Sequence, residues 1–157
     1  PGTACRTRIF FGTIDGRLFA LDAETGKPCR DFGTNGSADL SKGVRLRSKP
    51  EYGVTSPPVV VGNVVVTGSA IGDNRATNLE LGVVRGYDAV SGALRWRWDP
   101  IPRTAKIPSD AANPEFDEVE AQNAQWTGAA NAWAPLSVDR ARGLVFVPTG
   151  SASPDFY

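Results

Sequence analysis

Gly86-Tyr87-Asp88-Ala89-Val90-Ser91-Gly92 repeats, position by position, the residue classes of Ala20-Leu21-Asp22-Ala23-Glu24-Thr25-Gly26: small, apolar, Asp, Ala, variable, hydroxyl, Gly. Each copy closes one apolar run and turns the chain toward the next. In a turn of this kind an Asp side chain can cap its own backbone. Ahead of the second copy stand Val59-Val60-Val61 and Val64-Val65-Val66, separated by Gly62-Asn63. A two-residue loop between β-branched runs is a hairpin. Behind that copy lies Ala93-Leu94-Arg95-Trp96-Arg97-Trp98. The first copy follows a similar hairpin, in which Asp15-Gly16 separates Arg8-Ile9-Phe10-Phe11-Gly12-Thr13 from Arg17-Leu18-Phe19-Ala20-Leu21-Asp22. A third unit opens with Gly143-Leu144-Val145-Phe146-Val147-Pro148-Thr149-Gly150.

Repeated hairpins with Asp, hydroxyl and Gly in the second turn and Trp in the last strand fit the four-stranded blades of a β-propeller. The chain is therefore expected to be all-β, with its best-defined blade at 57–100. Other blade parts are expected at about 8–36 and 131–157, all within one partial propeller domain over 1–157. A β-sandwich is the alternative that short alternating strands leave open. Residues 40–54 and 103–127 lack a usable apolar period and read as loops, which on a rigid β scaffold are common places for function.

Composition removes several function classes. Lys plus Arg and Asp plus Glu number 17 each, so there is no basic excess to track a nucleic acid backbone. Histidine is absent, which excludes Ser/His and Cys/His nucleophile pairs and imidazole metal sites. No apolar run is long enough to span a bilayer, and residues 1–8 lack the apolar core of a secretory signal. Both ends read as cut sites, with any targeting or anchoring segment outside this chain. Cys5 and Cys29 flank the first hairpin; a disulfide between them and a reduced or differently partnered pair are both open.

A wider set of residues gives the chain a family resemblance. Cys5, Arg8-Ile9-Phe10, Asp15-Gly16-Arg17-Leu18, Ala20, Gly26-Lys27, Cys29, Phe32 and Gly36 resemble, in order and spacing, the membrane-bound quinoprotein glucose dehydrogenases. So do Thr55-Ser56-Pro57-Pro58, Gly68-Ser69 with Asp73-Asn74, the run Gly82 to Asp88, Asn131-Ala132-Trp133-Ala134-Pro135 and Ser153-Pro154-Asp155. The Thr-Ser-Pro-Pro and Asn-x-Trp-Ala-Pro blocks are specific; an isolated Asp-x-x-Thr-Gly turn is not.

The resemblance implies an eight-bladed propeller, of which this chain supplies somewhat more than two blades, and a pyrroloquinoline quinone cofactor near the central axis with a divalent cation, Ca or Mg. It implies that Trp133 forms the floor beneath the quinone rings, since an indole face suits a planar tricycle. It also implies that Thr55 hydrogen-bonds the cofactor and that Ser69 stands near a second such position. Without the surrounding motif, Trp133 reads as a blade-interface tryptophan and Thr55 as the cap of the turn before Pro57-Pro58. Relatives that oxidise alcohols place an Asn where this chain has Ser151, and a Glu near Glu80 at another spacing. Neither residue is assigned as a metal ligand, and Glu80 reads as a solvated loop carboxylate. No catalytic residue is assigned: the general-base Asp of the family is expected outside this chain, and Asp73, Asp88 and Asp139 read as turn caps.

The implied reaction takes a hydride equivalent from a sugar or polyol carbon bearing a hydroxyl and leaves a lactone or ketone. Electrons then pass through a quinone acceptor to the respiratory chain. The implied compartment is the periplasm, with membrane attachment through a segment outside this chain. The isolated piece is expected to be inactive and to self-associate through open sheet edges. Quinate or another polyol is the alternative substrate, and a non-catalytic propeller scaffold for protein assembly is the alternative function.

Overall fold

In a computed structural model, the described residues are 5–46, 51–72, 75–103 and 122–154. Asp73, Asn74 and Asp155, singled out above, lie outside them, as do 47–50 and 104–121 of the two expected loops. The first sheet has the order β1-β2-β3, from β1 (Arg8–Gly12), β2 (Arg17–Asp22) and β3 (Ser37–Asp39). Next comes β4 (Tyr52–Gly53). A four-stranded sheet then joins β5 (Val59–Val61), β6 (Val64–Thr67), β8 (Val84–Asp88) and β9 (Leu94–Trp98) in that order. Between β6 and β8 the chain forms β7 (Ala70–Ile71), which pairs with β4. A third unit begins with the hairpin β10 (Ser137–Asp139) and β11 (Leu144–Phe146).

Alternation along the strands explains how these sheets stack. Side chains on a strand point to opposite faces in turn, so neighbouring valines serve different layers. Val65 and Tyr87 join Leu18, Ala20, Phe32 and Leu40 in a core shared with the first sheet. Val66 and Val84 join Ala132 and Leu136, with Val145 and Val147, in a core shared with the third unit. The central sheet is thus covered on both faces by its neighbours in sequence, which is propeller stacking rather than the two facing layers of a sandwich.

The two repeat turns are near copies. Asp22 Oδ1 accepts from the amides of Glu24 and Thr25 and from the Thr25 hydroxyl. Asp88 Oδ1 accepts from the amides of Val90 and Ser91 and from the Ser91 hydroxyl. Gly26 and Gly92 close these turns at φ 68° and 69°, where a Cβ would be strained. Asp139 caps its own turn at the Arg142 amide. Sequence reading treated 103–127 as loop throughout, whereas 122–126 form one helical turn. Arginines hold it: Arg45 donates to Gln125 O and Trp126 O, and Arg103 to Ala124 O, placing cations at the carbonyl end of the turn. Residues 52–53 of the other expected loop likewise form β4. Among the described residues, no helix is long and apolar enough to cross a membrane.

Cys5 and Cys29 form a disulfide, 24 residues apart, which settles the pairing left open above. Closing such a loop in the unfolded chain corresponds to about 3 kcal/mol. Reduction of the intact protein is therefore expected to lower the free energy of unfolding by about that amount, read from urea titrations with and without reductant. A second expectation concerns acid. The amide of Cys5, followed by that of Thr25, holds Asp22 below the usual carboxylate range; the amide of Ser91, followed by the Arg95 guanidinium, does so for Asp88. Their stabilisation is fully present above the unfolded value of about 3.9 and is lost as pH falls through and below it toward the depressed folded values. Melting curves of Asp88→Asn should start lower at neutral pH and fall less steeply below about pH 4 than those of the parent.

Candidate functional site

The candidate site is assembled where irregular segments from successive sheets meet. Residues 128–133 run between 68–72 and 79–82 on one side and 149–153 on the other. Ser69 N donates to Ala132 O, and Asn131 Nδ2 returns a 2.8 Å bond to Ser69 O. Ala129 N bonds Glu80 O, Ala130 N bonds Ser151 O, Gly150 N bonds Asn131 O and Ser153 N bonds Gly128 O. These bonds satisfy backbone groups that no regular ladder serves. Ala129 and Ala130 both hold positive φ, 57° and 52°, a conformation costly for a residue with Cβ. Two consecutive residues of this kind persist because the flanking bonds over-determine them.

The three sequence-derived cofactor residues come together here. Trp133 is 59% exposed, so its indole presents an open surface although the residues just before it, 128–132, are buried. Thr55, which follows β4, places its hydroxyl 3.5 Å from Trp133 O. That distance is at the limit of a hydrogen bond, so the hydroxyl is only weakly committed. Ser69 adjoins the same segment through its backbone but is 1% exposed, and its Oγ has no well-formed hydrogen bond. A buried hydroxyl without a partner costs roughly 1–3 kcal/mol, which a ligand oxygen arriving here would recover. An open indole, on a segment that Thr55 meets with a weakly committed hydroxyl and Ser69 with its backbone, fits a planar ligand with acceptor oxygens.

Glu80 departs from the sequence expectation of a solvated loop carboxylate. It is fully buried: Oε2 lies 3.3 Å from Arg75 Nη2, and Oε1 is without a hydrogen-bond partner. The misreading has a physical source, because a single Glu after Thr-Asn-Leu looks like a loop until the 128–131 segment is known to cover it. Arg75 also reaches Glu51 across 3.4 Å, which links Glu80 to the start of β4. A hard cation asks for several oxygens at once. Among the described residues, Glu80 offers one bare carboxylate oxygen, and the only cluster of three possible ligands is Cys5, Cys29 and Asp31, whose cysteines are oxidised to the disulfide. The described residues thus do not by themselves make up a divalent-cation site, and no step is derived through one. Asn131 is a further positioning residue; the Asn-x-Trp spacing signalled it, and its amide ties the Trp133 segment to Ser69.

Comparison with known proteins gives consistent matches. The profile of the glucose/ethanol/alcohol dehydrogenase β-propeller domain, the PQQ family, matches residues 1–157. The quinate/shikimate dehydrogenase (quinone) of Acinetobacter baylyi is 38% identical over 157 residues, covering 99% of this chain and 18% of that protein. Quinoprotein glucose dehydrogenase A of Acinetobacter calcoaceticus is 37% identical over 155 residues, again covering 99% of this chain and 18% of the relative. The crystal structure of quinohemoprotein alcohol dehydrogenase from Comamonas testosteroni superposes with a TM-score of 0.64 at 25% identity, over 94% of this chain and 20% of that one. The chain thus spans about a fifth of the length of these proteins.

The close packing of the site can be tested at Gly82, where an added Cβ would lie 2.1 Å from Ala129 O and 2.6 Å from Asn131 N. Both neighbours are backbone and cannot swing aside. Gly82→Ala is expected to destabilise the intact protein by roughly 1–3 kcal/mol in urea unfolding. A variant as stable as the parent would mean that 79–82 and 128–131 are not packed this closely.

Proposed function

This chain belongs to the PQQ-dependent glucose/ethanol/alcohol dehydrogenase β-propeller family, and from that premise we propose that it forms part of the cofactor wall and floor of a longer quinoprotein dehydrogenase. The substrate class is glucose or a related sugar or polyol, with quinate as the chief alternative. Relatives named for glucose and for quinate support this class about equally. The observation that carries the reading is the exposed Trp133 indole on a segment whose backbone is bonded by the Thr55 hydroxyl and by Ser69, whose own hydroxyl is unpartnered.

When bound, the quinone supplies a two-electron acceptor for oxidation of a carbinol. The chain's own part is positioning. Trp133 offers a flat, polarisable face against which the rings lie. Thr55 and Ser69 offer hydroxyl protons to cofactor oxygens, and Asn131 keeps the Ser69 and Trp133 segments in register. The described aspartates Asp22, Asp88 and Asp139 have carboxylates engaged in turns, and none is assigned the substrate proton. That role goes to an Asp outside this chain, so the chain alone is expected to be inactive. Electrons leave through a quinone acceptor. The placement is periplasmic with a membrane anchor elsewhere in the protein, and the Cys5–Cys29 disulfide, at home in an oxidising compartment, favours it.

The test uses the full-length protein carrying this chain, stripped and reconstituted with pyrroloquinoline quinone and a divalent cation. Dye reduction is followed with glucose, quinate and a polyol panel. The parent is expected to need the quinone for turnover, and Trp133→Ala to weaken quinone binding roughly tenfold or more while the protein remains folded. Absence of quinone binding in the parent would overturn the enzyme reading in favour of a scaffold.

A further inference from the structure

β8 and β9 set two arginines directly opposite one another, Arg85 against Arg97. The side chains of a directly opposed pair share one face of the sheet with their Cβ atoms about 5 Å apart, and like charges so placed destabilise it. Another arginine of β9 shows the usual remedy: Arg95 has the Asp88 carboxylate at 2.5 Å. Among the described residues, neither Arg85 nor Arg97 has a carboxylate within ion-pair distance. Two cations are thus held in register with no counter-charge from the chain beside them.

The two head groups converge on one loop. Arg85 is only 4% exposed; its Nη1 donates to Leu40 O at 2.6 Å and to Tyr52 Oη at 3.2 Å, and its Nη2 to Lys42 O at 2.7 Å. These bonds occupy three N–H groups of the five a guanidinium carries, and none of the acceptors brings a negative charge. Arg97 is exposed, and its Nη1 lies 3.9 Å from the place a Cβ would take on Gly43. The exposed Lys42 adds a third cation to the same loop. Beside it opens a cavity of about 330 Å³, whose charged lining residues are Arg17, Asp39, Lys42 and Arg85. That is several times the roughly 30 Å³ that one water occupies in the liquid, so the space admits a polyatomic ion. Arg17 is already paired with Asp15 at 2.8 Å. Asp39 is the one opposing carboxylate on the wall, held ionised below the usual range by the Ser41 hydroxyl and then the Ser41 amide. Lys42, Arg85 and Arg97 set against Asp39 leave an excess of two positive charges.

We propose that Arg85, Arg97 and Lys42, gathered at 40–43 between the first and central sheets, form a binding site for a dianionic phosphate group, either inorganic phosphate or a phosphate monoester. A dianion balances the excess charge. Guanidinium forks meet the oxygens of a tetrahedral oxyanion in charge-assisted bonds, for which Arg85 has N–H groups to spare and Arg97 has all of its own, while the Lys42 ammonium adds a point charge. The ion turns the opposed arginines from a repulsion into a bridge, and it ties β9 to the chain that follows β3. The site shares no residue with Thr55, Ser69, Asn131 or Trp133 and stands independently of the cofactor reading.

The test follows thermal unfolding of the full-length protein carrying this chain, with calorimetric titration, as inorganic phosphate or glycerol phosphate is added at an ionic strength held constant with chloride. The variants are Arg97→Gln and Lys42→Gln, with Arg140→Gln in the turn between β10 and β11 as control; all three residues are exposed, so each change removes a charge without opening the core. Ligand should raise the melting temperature of the parent. Arg97→Gln and Lys42→Gln should each weaken binding roughly tenfold, the loss of one charge-assisted bond, while Arg140→Gln binds as the parent does. Without ligand, Arg97→Gln should melt no lower than the parent, because it relieves the like-charge pair, whereas loss of a merely structural arginine would lower the melting temperature. A stronger response to the ester assigns the site to a phosphate monoester, and a stronger response to the free ion assigns it to inorganic phosphate. No response to either ligand beyond that to chloride would overturn the proposal, as would parental affinity in Arg97→Gln or equal weakening in Arg140→Gln. A ligand-free Arg97→Gln that melts below the parent would also overturn it, since the arginine pair would then be serving the fold itself.

Discussion

Arginines donating to backbone carbonyls are the interaction on which the irregular half of this structure depends. Chain segments between sheets have no ladder partners, and a buried carbonyl left bare is costly. Arg85 joins the chain after β3 to β4 and β8 through Leu40 O, Lys42 O and the Tyr52 phenol. Arg8 reaches from the first sheet to Val90 O in the repeat turn of the second. Arg45 and Arg103 gather the carbonyls that close the 122–126 turn, just ahead of the site segment. A guanidinium suits this role because its planar fork serves several acceptors at once.

The sheets impose the complementary constraint. A four-stranded blade has two apolar faces and can cover neither alone, so each layer draws its stability from the next. The alternation of Val65 with Val66 and of Val83 with Val84 commits one strand to two different cores. Between the central sheet and the third unit the covering is incomplete and leaves Trp96, Trp98, Leu144 and Phe146 partly exposed. They line an apolar cleft with Val61 and Val64 beside β10 and β11.

How much of this was legible in the sequence follows from the range of the interactions. The repeat turns were readable because Asp88, Ser91 and Gly92 complete their bonds within five residues, and the valine hairpin because Gly62-Asn63 decides it locally. Trp133, Thr55 and Ser69 could be grouped only through the family resemblance, since they lie 14 to 78 residues apart in the chain and meet through bonds to one segment. The burial of Glu80 was illegible for the same reason: the residues that cover it come some fifty positions later. The 122–126 turn depends on Arg45, about eighty residues upstream, and carries no apolar period of its own.

Rigidity and function meet in the segment 128–133. Two alanines in left-handed conformation would relax if the chain there were free, and they do not because bonds to Thr77 O and Glu80 O on one side and to Ser151 O and the Ser153 amide on the other hold the segment. That cost has a use. A planar cofactor gains most from a floor whose orientation is settled before it arrives, because ordering the floor upon binding would subtract from affinity. The exposed indole of Trp133 sits at the end of this over-determined segment, which the Ser69 backbone ties down through Ala132 O and the Asn131 amide. On the proposed function, an open indole at the end of a segment held this firmly is the floor such a cofactor requires, with its orientation fixed by backbone bonds made before binding.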